Sequence, residues 1–352
     1  MPSDRPELSI LYVAANSGTA LQRRQALEQL GHEISPIQSG VPSGWRFQLY
    51  RIGSRLHRPP DLLGTNKAIL AALRSRHWDI LWIDKSLSIL PETLATFRRE
   101  SPDTTLIAYS PDDCRILYNE AVRYAQSIPE YDLHITTKSY NVEELRNWGA
   151  RDVLFIDNAY CPEIHRPLEL STVDRDHFAC EVGFVGYFEE DRAERMLELA
   201  RAGVPVVVRG PAWNRLRNSH HDLTVFDEYL EDEDYPKAVN ATGINLGFLR
   251  KQARDLQTTR SIEIPACGGF LLAERTPEHQ ALFEEGQEAE FFEGFDELLE
   301  KCQFYMAHPD ERERIAMGGL ERCHRDGYGN KDRLARVLEY VRTKRRVSAR
   351  VA

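Results

Sequence analysis

The sequence lacks most of the signatures that would classify it quickly. The apolar run at 8–15 is too short to cross a bilayer and has neither a charged leader nor a cleavage pattern, so no span and no export signal are expected. The six cysteines are scattered with no C-x-x-C pair, which reads as reduced thiols of a cytoplasmic protein; Cys267, set in IPACGG, is expected to pack. There is no H-E-x-x-H and no Cys/His cluster, and the doublet His220-His221 reads as a solvated loop, so no metal site is expected. Positive charge is in deficit: 45 Lys and Arg face 55 Asp and Glu, a formal charge of -10, which repels polyanions and argues against a nucleic-acid partner. G-x-G-x-x-G, G-x-x-x-x-G-K-[ST] and G-x-S-x-G are all missing, which disfavours dinucleotide-binding, P-loop and α/β-hydrolase readings.

What is present is globular composition, 42% hydrophobic and 28% charged, over 352 residues, more than a single domain usually needs. Short apolar runs at 9–15, 79–83, 105–109, 133–136 and 153–156 alternate with amphipathic helical patterns such as 20–30, 66–74 and 90–99. The pattern restarts with runs at 180–185, 204–209, 224–226, 244–248 and 269–273. This order predicts an α/β protein of two Rossmann-like halves, 1–167 and 178–330, with a linker at 165–177 and a helix over 331–340 that precedes a basic tail.

In parallel sheets, ligands sit beyond the carboxyl ends of the strands. After the first strand comes 16–19 with Gly18, either a turn that lets a ligand approach the backbone or a plain βα turn. After 106–109 come Asp112 and Asp113, either of which could serve as a base near an acceptor hydroxyl, while Asp112 could equally cap a helix over 114–125. The segment 254–274, RDLQTTRSIEIPACGGFLLAE, carries the densest signal. Thr258 and Thr259 are expected to cap a helix ending at Ala266, with Arg260 adding a cation, Glu263 one turn in, and Glu274 at the carboxyl end of the next strand. An anion site beside a carboxylate that accepts two vicinal hydroxyls suits a nucleotide diphosphate sugar.

This stretch resembles the C-terminal domain of GT-B glycosyltransferases, in which an acid, seven residues and a Glu precede a small-residue turn and a strand: here Asp255, Glu263, 266–268 and 270–273. More closely, TTRSIEIPACGGFLLAERTPEHQALFEEGQEAEFF, YSPDD, TTK, FVGYFEEDR and LGFLRK look like the CgeB-like branch. The resemblance implies a GT-B fold, two Rossmann-like domains facing across a cleft, with donor nucleotide on the C-terminal domain, acceptor on the N-terminal one, and the final helix returning to the latter. It implies Glu263 on the donor ribose, Asp255 where retaining relatives place a longer Glu near the sugar, and Gly186 and Arg192 at the donor diphosphate. Tyr187 stands where an arginine is often found.

The expected activity is therefore sugar transfer from a nucleotide diphosphate sugar, UDP-sugar first, to a glycan, lipid-linked or protein acceptor, by a retaining route without metal. A nucleotide- or glycan-binding protein without turnover and a GT-B-fold epimerase are the alternatives. The D-x-D strings at 174–176 and 232–234 are read as linker and helix start, not as metal ligands. The window 45–58, WRFQLYRIGSRLHR, holds four arginines and no acid; it is either the solvated flank of a packed helix or a surface for an anionic acceptor or membrane. The stretch 278–300 holds nine carboxylates and no Lys or Arg, and is expected to be a solvated face.

Overall fold

Six strands between Ser9 and Phe155 pair as one wholly parallel sheet: β1 Ser9–Ala14, β2 Glu33–Gln38, β3 Ile80–Asp84, β4 Thr105–Ser110, β5 Leu133–Thr136 and β6 Val153–Phe155, in the order β2-β1-β3-β4-β5-β6. The computed structural model describes residues 7–115, 121–230 and 233–351. The central strands are near-continuous apolar runs because helices cover both faces. Ile10, Tyr12, Trp82, Ile107, Tyr109 and Ile135 point to one face, where Leu334, Val337, Leu338 and Val341 of the helix Asn330–Val351 close the core. Leu11, Val13, Leu81, Ile83 and Leu106 point to the other, against Ile69, Leu94 and Phe97. The period of two along each strand thus sorts residues between two cores.

Six further strands form a second parallel sheet: β7 Cys180–Val185, β8 Val206–Arg209, β9 Leu223–Phe226, β10 Thr242–Gly247, β11 Leu271–Glu274 and β12 Glu290–Phe292, in the order β12-β11-β10-β7-β8-β9. Its core gathers Val182, Phe184, Met196, Leu199, Val206, Val208, Trp213, Ile244 and Leu272 on one face. Val239, Ile262, Ile264, Leu271, Phe283 and Phe291 fill the other. The helix Pro309–Arg325 approaches the loop before β12 closely; a Cβ at Gly318 would stand 2.2 Å from the Gln287 carbonyl oxygen.

Two compact units result, one of 1–157, Gln252–Arg254 and 330–352, the other of 158–251 and 255–329. The change of unit therefore precedes the expected boundary at 167, and 165–177 is not a linker: His165 is buried, and Ser171 caps a helix Thr172–Phe178 by accepting the Asp174 N–H at 3.1 Å. The acid-rich stretch 278–300 differs as well. It contains the buried strand β12, and its Glu285, Glu290 and Glu297 converge on Lys301, with Arg275 also paired to Glu285 and Glu297. These cations lie at 275 and 301, just outside the window that seemed to lack them. At the far end, the half-buried Arg345 donates to Thr105 Oγ1 at 2.7 Å, and Lys344 pairs with Asp152 at 3.2 Å.

Candidate functional site

In the second sheet, the order in which strands are added reverses between β7 and β10, so the crevice beyond these two parallel strands is where a doubly wound fold binds ligands. Gly186, directly after β7, is stapled in place: its N–H donates to Arg209 O at 2.9 Å, and its carbonyl accepts Trp213 Nε1 at 2.7 Å. Gly210 makes that approach possible, since at its φ of +151° a Cβ would lie 1.9 Å from the Gly186 oxygen. Arg192, from the first turn of the helix Glu190–Arg201, spans the switch point, donating from one guanidinium nitrogen to Tyr187 O at 3.2 Å and from the other to Phe248 O at 3.3 Å. Its Nε is buried and has no hydrogen-bond partner among the described residues. Burial draws the Arg192 pKa down; Glu189 opposes this, while the Arg260 and Arg250 guanidiniums add to it. Clustered cations with an unused buried donor describe a place for an anion.

Arg260 reaches the same crevice by donating Nε to Val185 O at 2.7 Å. Its helix runs only Arg260–Ala266, and neither threonine caps it as expected: Thr259 has helical backbone angles and no side-chain cap bond, and the Thr258 N–H is donated to Ser261 Oγ at 3.0 Å. Thr258 thus acts through its backbone, and the anion site rests on arginines more than on a cap. Glu263 follows on the buried side of this helix. His165 Nδ1 accepts the Cys161 N–H at 3.0 Å, which leaves the proton on Nε2, and Nε2 stands 3.7 Å from Glu263 Oε1. The Tyr235 ring meets the His165 edge at 5.7 Å and lies under Arg260 at 5.7 Å. Burial first, then the charge of Glu263, pushes the Tyr235 hydroxyl well above its ordinary pKa, and that hydroxyl has no well-formed partner.

Glu274 ends β11 and lines, with Arg192, Arg195, Lys251 and Phe292, a cleft of about 210 Å³. Burial raises its pKa, countered by Lys251 and Arg192. His279, which the sequence did not flag, fixes this edge: Nδ1 donates to Glu274 O at 2.6 Å and Nε2 accepts from Ser261 at 2.7 Å, binding the strand end to the Arg260–Ala266 helix. Asp255 is half-buried directly after Arg254, with its N–H donated to Arg250 O at 3.2 Å.

Gly18, Asp112 and Asp113 belong to the first unit. Gly18 opens the helix Gly18–Gln29 with a φ of +56°, and a Cβ there would meet no protein atom within 4 Å, so the turn itself calls for glycine. Beneath it the Arg23–Asp84 pair fills the first sheet's own switch point: Nε donates at 2.7 Å, a second nitrogen at 2.9 Å, and Tyr12 donates at 2.6 Å. Asp112 pairs with Lys85 and does not cap a helix over 114–125; the helix begins at Val122, and 116–120 lie outside the described residues. Asp113 is unsuited to be a base. Burial alone would raise its pKa, but two Arg254 hydrogen bonds, the Arg115 N–H and Asn141 outweigh it and hold the carboxyl below its usual value.

Of the D-x-D strings, Asp174 and Asp234 both pair with Lys237, at 3.4 and 3.3 Å, and Asp232 lies outside the described residues. His220, His221 and Asp222 bring ligand-type atoms within 4.8 Å of one another. They precede β9, at the sheet edge opposite Gly186, and the two imidazoles stack at 4.3 Å. No helix among the described residues is long and apolar enough to cross a membrane.

Comparison with known proteins places this geometry in context. Residues 192–339 match a family described as glycosyl transferase-like. No curated protein sequence matches the chain. Among solved structures, sucrose-phosphate synthase from Thermosynechococcus elongatus superposes with a TM-score of 0.66 at 13% identity, covering 98% of this chain and all of that one. HepE from Anabaena in complex with UDP-glucose gives 0.63 at 14%, over 95% of this chain and 100% of the other. An alpha-glucosyltransferase in complex with UDP-glucose and DNA containing an abasic site gives 0.63 at 13%, over 96% and 100%. The chain has the two-domain, parallel-sheet α/β fold of GT-B glycosyltransferases, and the glycosyl transferase-like match spans most of its second unit.

Proposed function

We propose that the protein is a glycosyltransferase of the CgeB-like branch that works in the cytoplasm, taking a sugar from a nucleotide diphosphate sugar, UDP-sugar first, to a glycan, lipid-linked or protein hydroxyl. The observation that carries this reading is Arg192 bridging the β7 and β10 loops with its Nε buried and unpartnered, beside Arg260. In this reading the diphosphate lies against Arg192, Arg260 and the Gly186 loop, and the ribose hydroxyls donate to Glu263. As the glycosidic bond breaks, negative charge collects on the leaving phosphate, and fixed guanidiniums stabilise it there without reorganising. A divalent ion has no task left in that step. The engagement of Asp113 by Arg254 favours the retaining route, in which the acceptor hydroxyl needs no protein base. Asp255 is assigned to the donor sugar.

A donor screen tests this: thermal shift with UDP-, GDP- and dTDP-sugars, then nucleotide release. Transfer or slow hydrolysis with one nucleotide class is expected. Binding without release would instead mark a binding protein, and an isomerised sugar without free nucleotide an epimerase.

A further inference from the structure

The helix Trp45–Arg55 meets the rest of the unit through the half-buried Tyr50, Gly53 and Ser54 and leaves its other residues exposed. At 100° per residue, Trp45, Leu49, Ile52 and the capping Leu56 fall within about 60° of arc, one stripe along the helix. They are 72%, 46%, 55% and 68% exposed. Arg46 flanks the stripe on one side, Arg51 and Arg55 on the other, and Arg58 lies beyond the helix end. No acid occurs between Glu33 and Asp61, in a protein whose formal charge is -10.

The helix is held from its carboxyl end, which leaves the stripe outward. The Val122 N–H donates to His57 O at 2.9 Å, and Arg123 donates to Pro59 O at 2.7 Å. Gly53 permits Pro60 to fold back under the helix, since a Cβ there would stand 2.4 Å from Pro60 Cδ.

We propose that this helix docks the first unit onto an anionic lipid surface, with Trp45, Leu49, Ile52 and Leu56 entering the acyl boundary and Arg46, Arg51 and Arg55 pairing with lipid phosphates. A narrow apolar stripe between two rows of arginine matches a helix lying in the plane of a membrane interface. The all-positive segment on an acidic molecule supplies the charge complementarity, and orients this face toward a negative surface before contact. The proposal is independent of the donor site, which lies in the second unit.

The test is co-sedimentation of the full chain with phosphatidylcholine vesicles containing about 30% phosphatidylglycerol, beside vesicles of phosphatidylcholine alone. Binding to the anionic vesicles is expected, weakened by salt. Trp45→Ser with Ile52→Ser, and separately Arg51→Glu with Arg55→Glu, should each lower it at least ~10-fold while leaving thermal unfolding unchanged, because all four side chains are exposed. Absence of binding to anionic vesicles, or equal binding by wild type and both variants, overturns the proposal. So does a concentration-dependent dimer abolished by Trp45→Ser without vesicle binding, which would assign the stripe to a second copy.

Discussion

Both carboxylate oxygens of Asp113 accept a hydrogen bond from the Arg254 guanidinium, each at 2.7 Å, and the same guanidinium also grips Glu144 at 2.9 and 3.0 Å. Arg254 adopts a φ of +51°, a conformation that a non-glycine residue holds only against some cost. The fork of one arginine between two carboxylates explains the depressed carboxyl of Glu144, held at about 2 chiefly by the Arg254 hydrogen bonds.

Arg254→Ala should therefore destabilise the first unit by roughly 1–2 kcal/mol in denaturant unfolding, since Asp113 is buried but the arginine is partly exposed. The pH profile of turnover should show no limb attributable to Asp113. A limb that vanishes in Asp113→Asn, with stability unchanged, would restore the residue as a base.

Glu263→Ala should weaken nucleotide binding by about 1–3 kcal/mol, because charge-assisted contacts are lost from an enclosed position. His165→Ala should weaken it by a smaller amount, about 0.5–1.5 kcal/mol, with KM for the donor rising more than kcat falls. Since His165 acts through Glu263, the double variant should bind no worse than Glu263→Ala alone. Additive losses by calorimetry would show that the 3.7 Å approach does not couple the two residues.

Chelation makes a third test. EDTA is expected to leave turnover intact, because the leaving phosphate is assigned to Arg192 and Arg260. Loss of activity with recovery on adding Mn²⁺ would contradict that assignment.

Two buried histidines make stability depend on pH. Burial lowers both His134 and His279 to about 4, so each is neutral in the folded protein. Unfolded, each titrates near ~6.5, so between about 6.5 and 4 the unfolded state binds more protons. Stability is then full above about 6.5 and falls with pH through this window, by about 1.4 kcal/mol per unit for each histidine once well below 6.5. The slope measured by urea unfolding should be shallower in His279→Gln; an unchanged slope would mean that His279 charges without disturbing the Glu274 edge.

Much of this architecture is legible in the sequence, because strands buried on both faces are written as continuous apolar runs, as in SILYVA and CEVGFV. The stripe Leu334, Val337, Leu338 and Val341 is equally plain at helical spacing. Gly186 and Arg192 are pointed to by the family resemblance of the FVGYFEEDR stretch. His165 could not: a lone histidine amid Pro and charged residues carries no period, and its value comes from Cys161 and Glu263 brought to it in space. β12 was hidden for a related reason, since its Glu290 is neutralised by Lys301 and the flanking Glu285 and Glu297 by Lys301 and Arg275, all from outside the window. The role of Arg254 depends likewise on Asp113 and Glu144, which lie more than a hundred residues away in the chain.

The helix Asn330–Val351 closes the core of a unit whose strands were all written before residue 156. On the ribosome, Ile10, Tyr12, Trp82 and Ile107 thus emerge well ahead of the four side chains that cover them. At about 5–20 residues per second, the roughly 170 intervening residues take about 10–35 s to synthesise. The intervening unit, contiguous except for three residues, can collapse during this interval, while the earlier one waits with an apolar face open. Birth order and folding order are therefore inverted, and the nascent first unit is the stage at which a chaperone has something to hold.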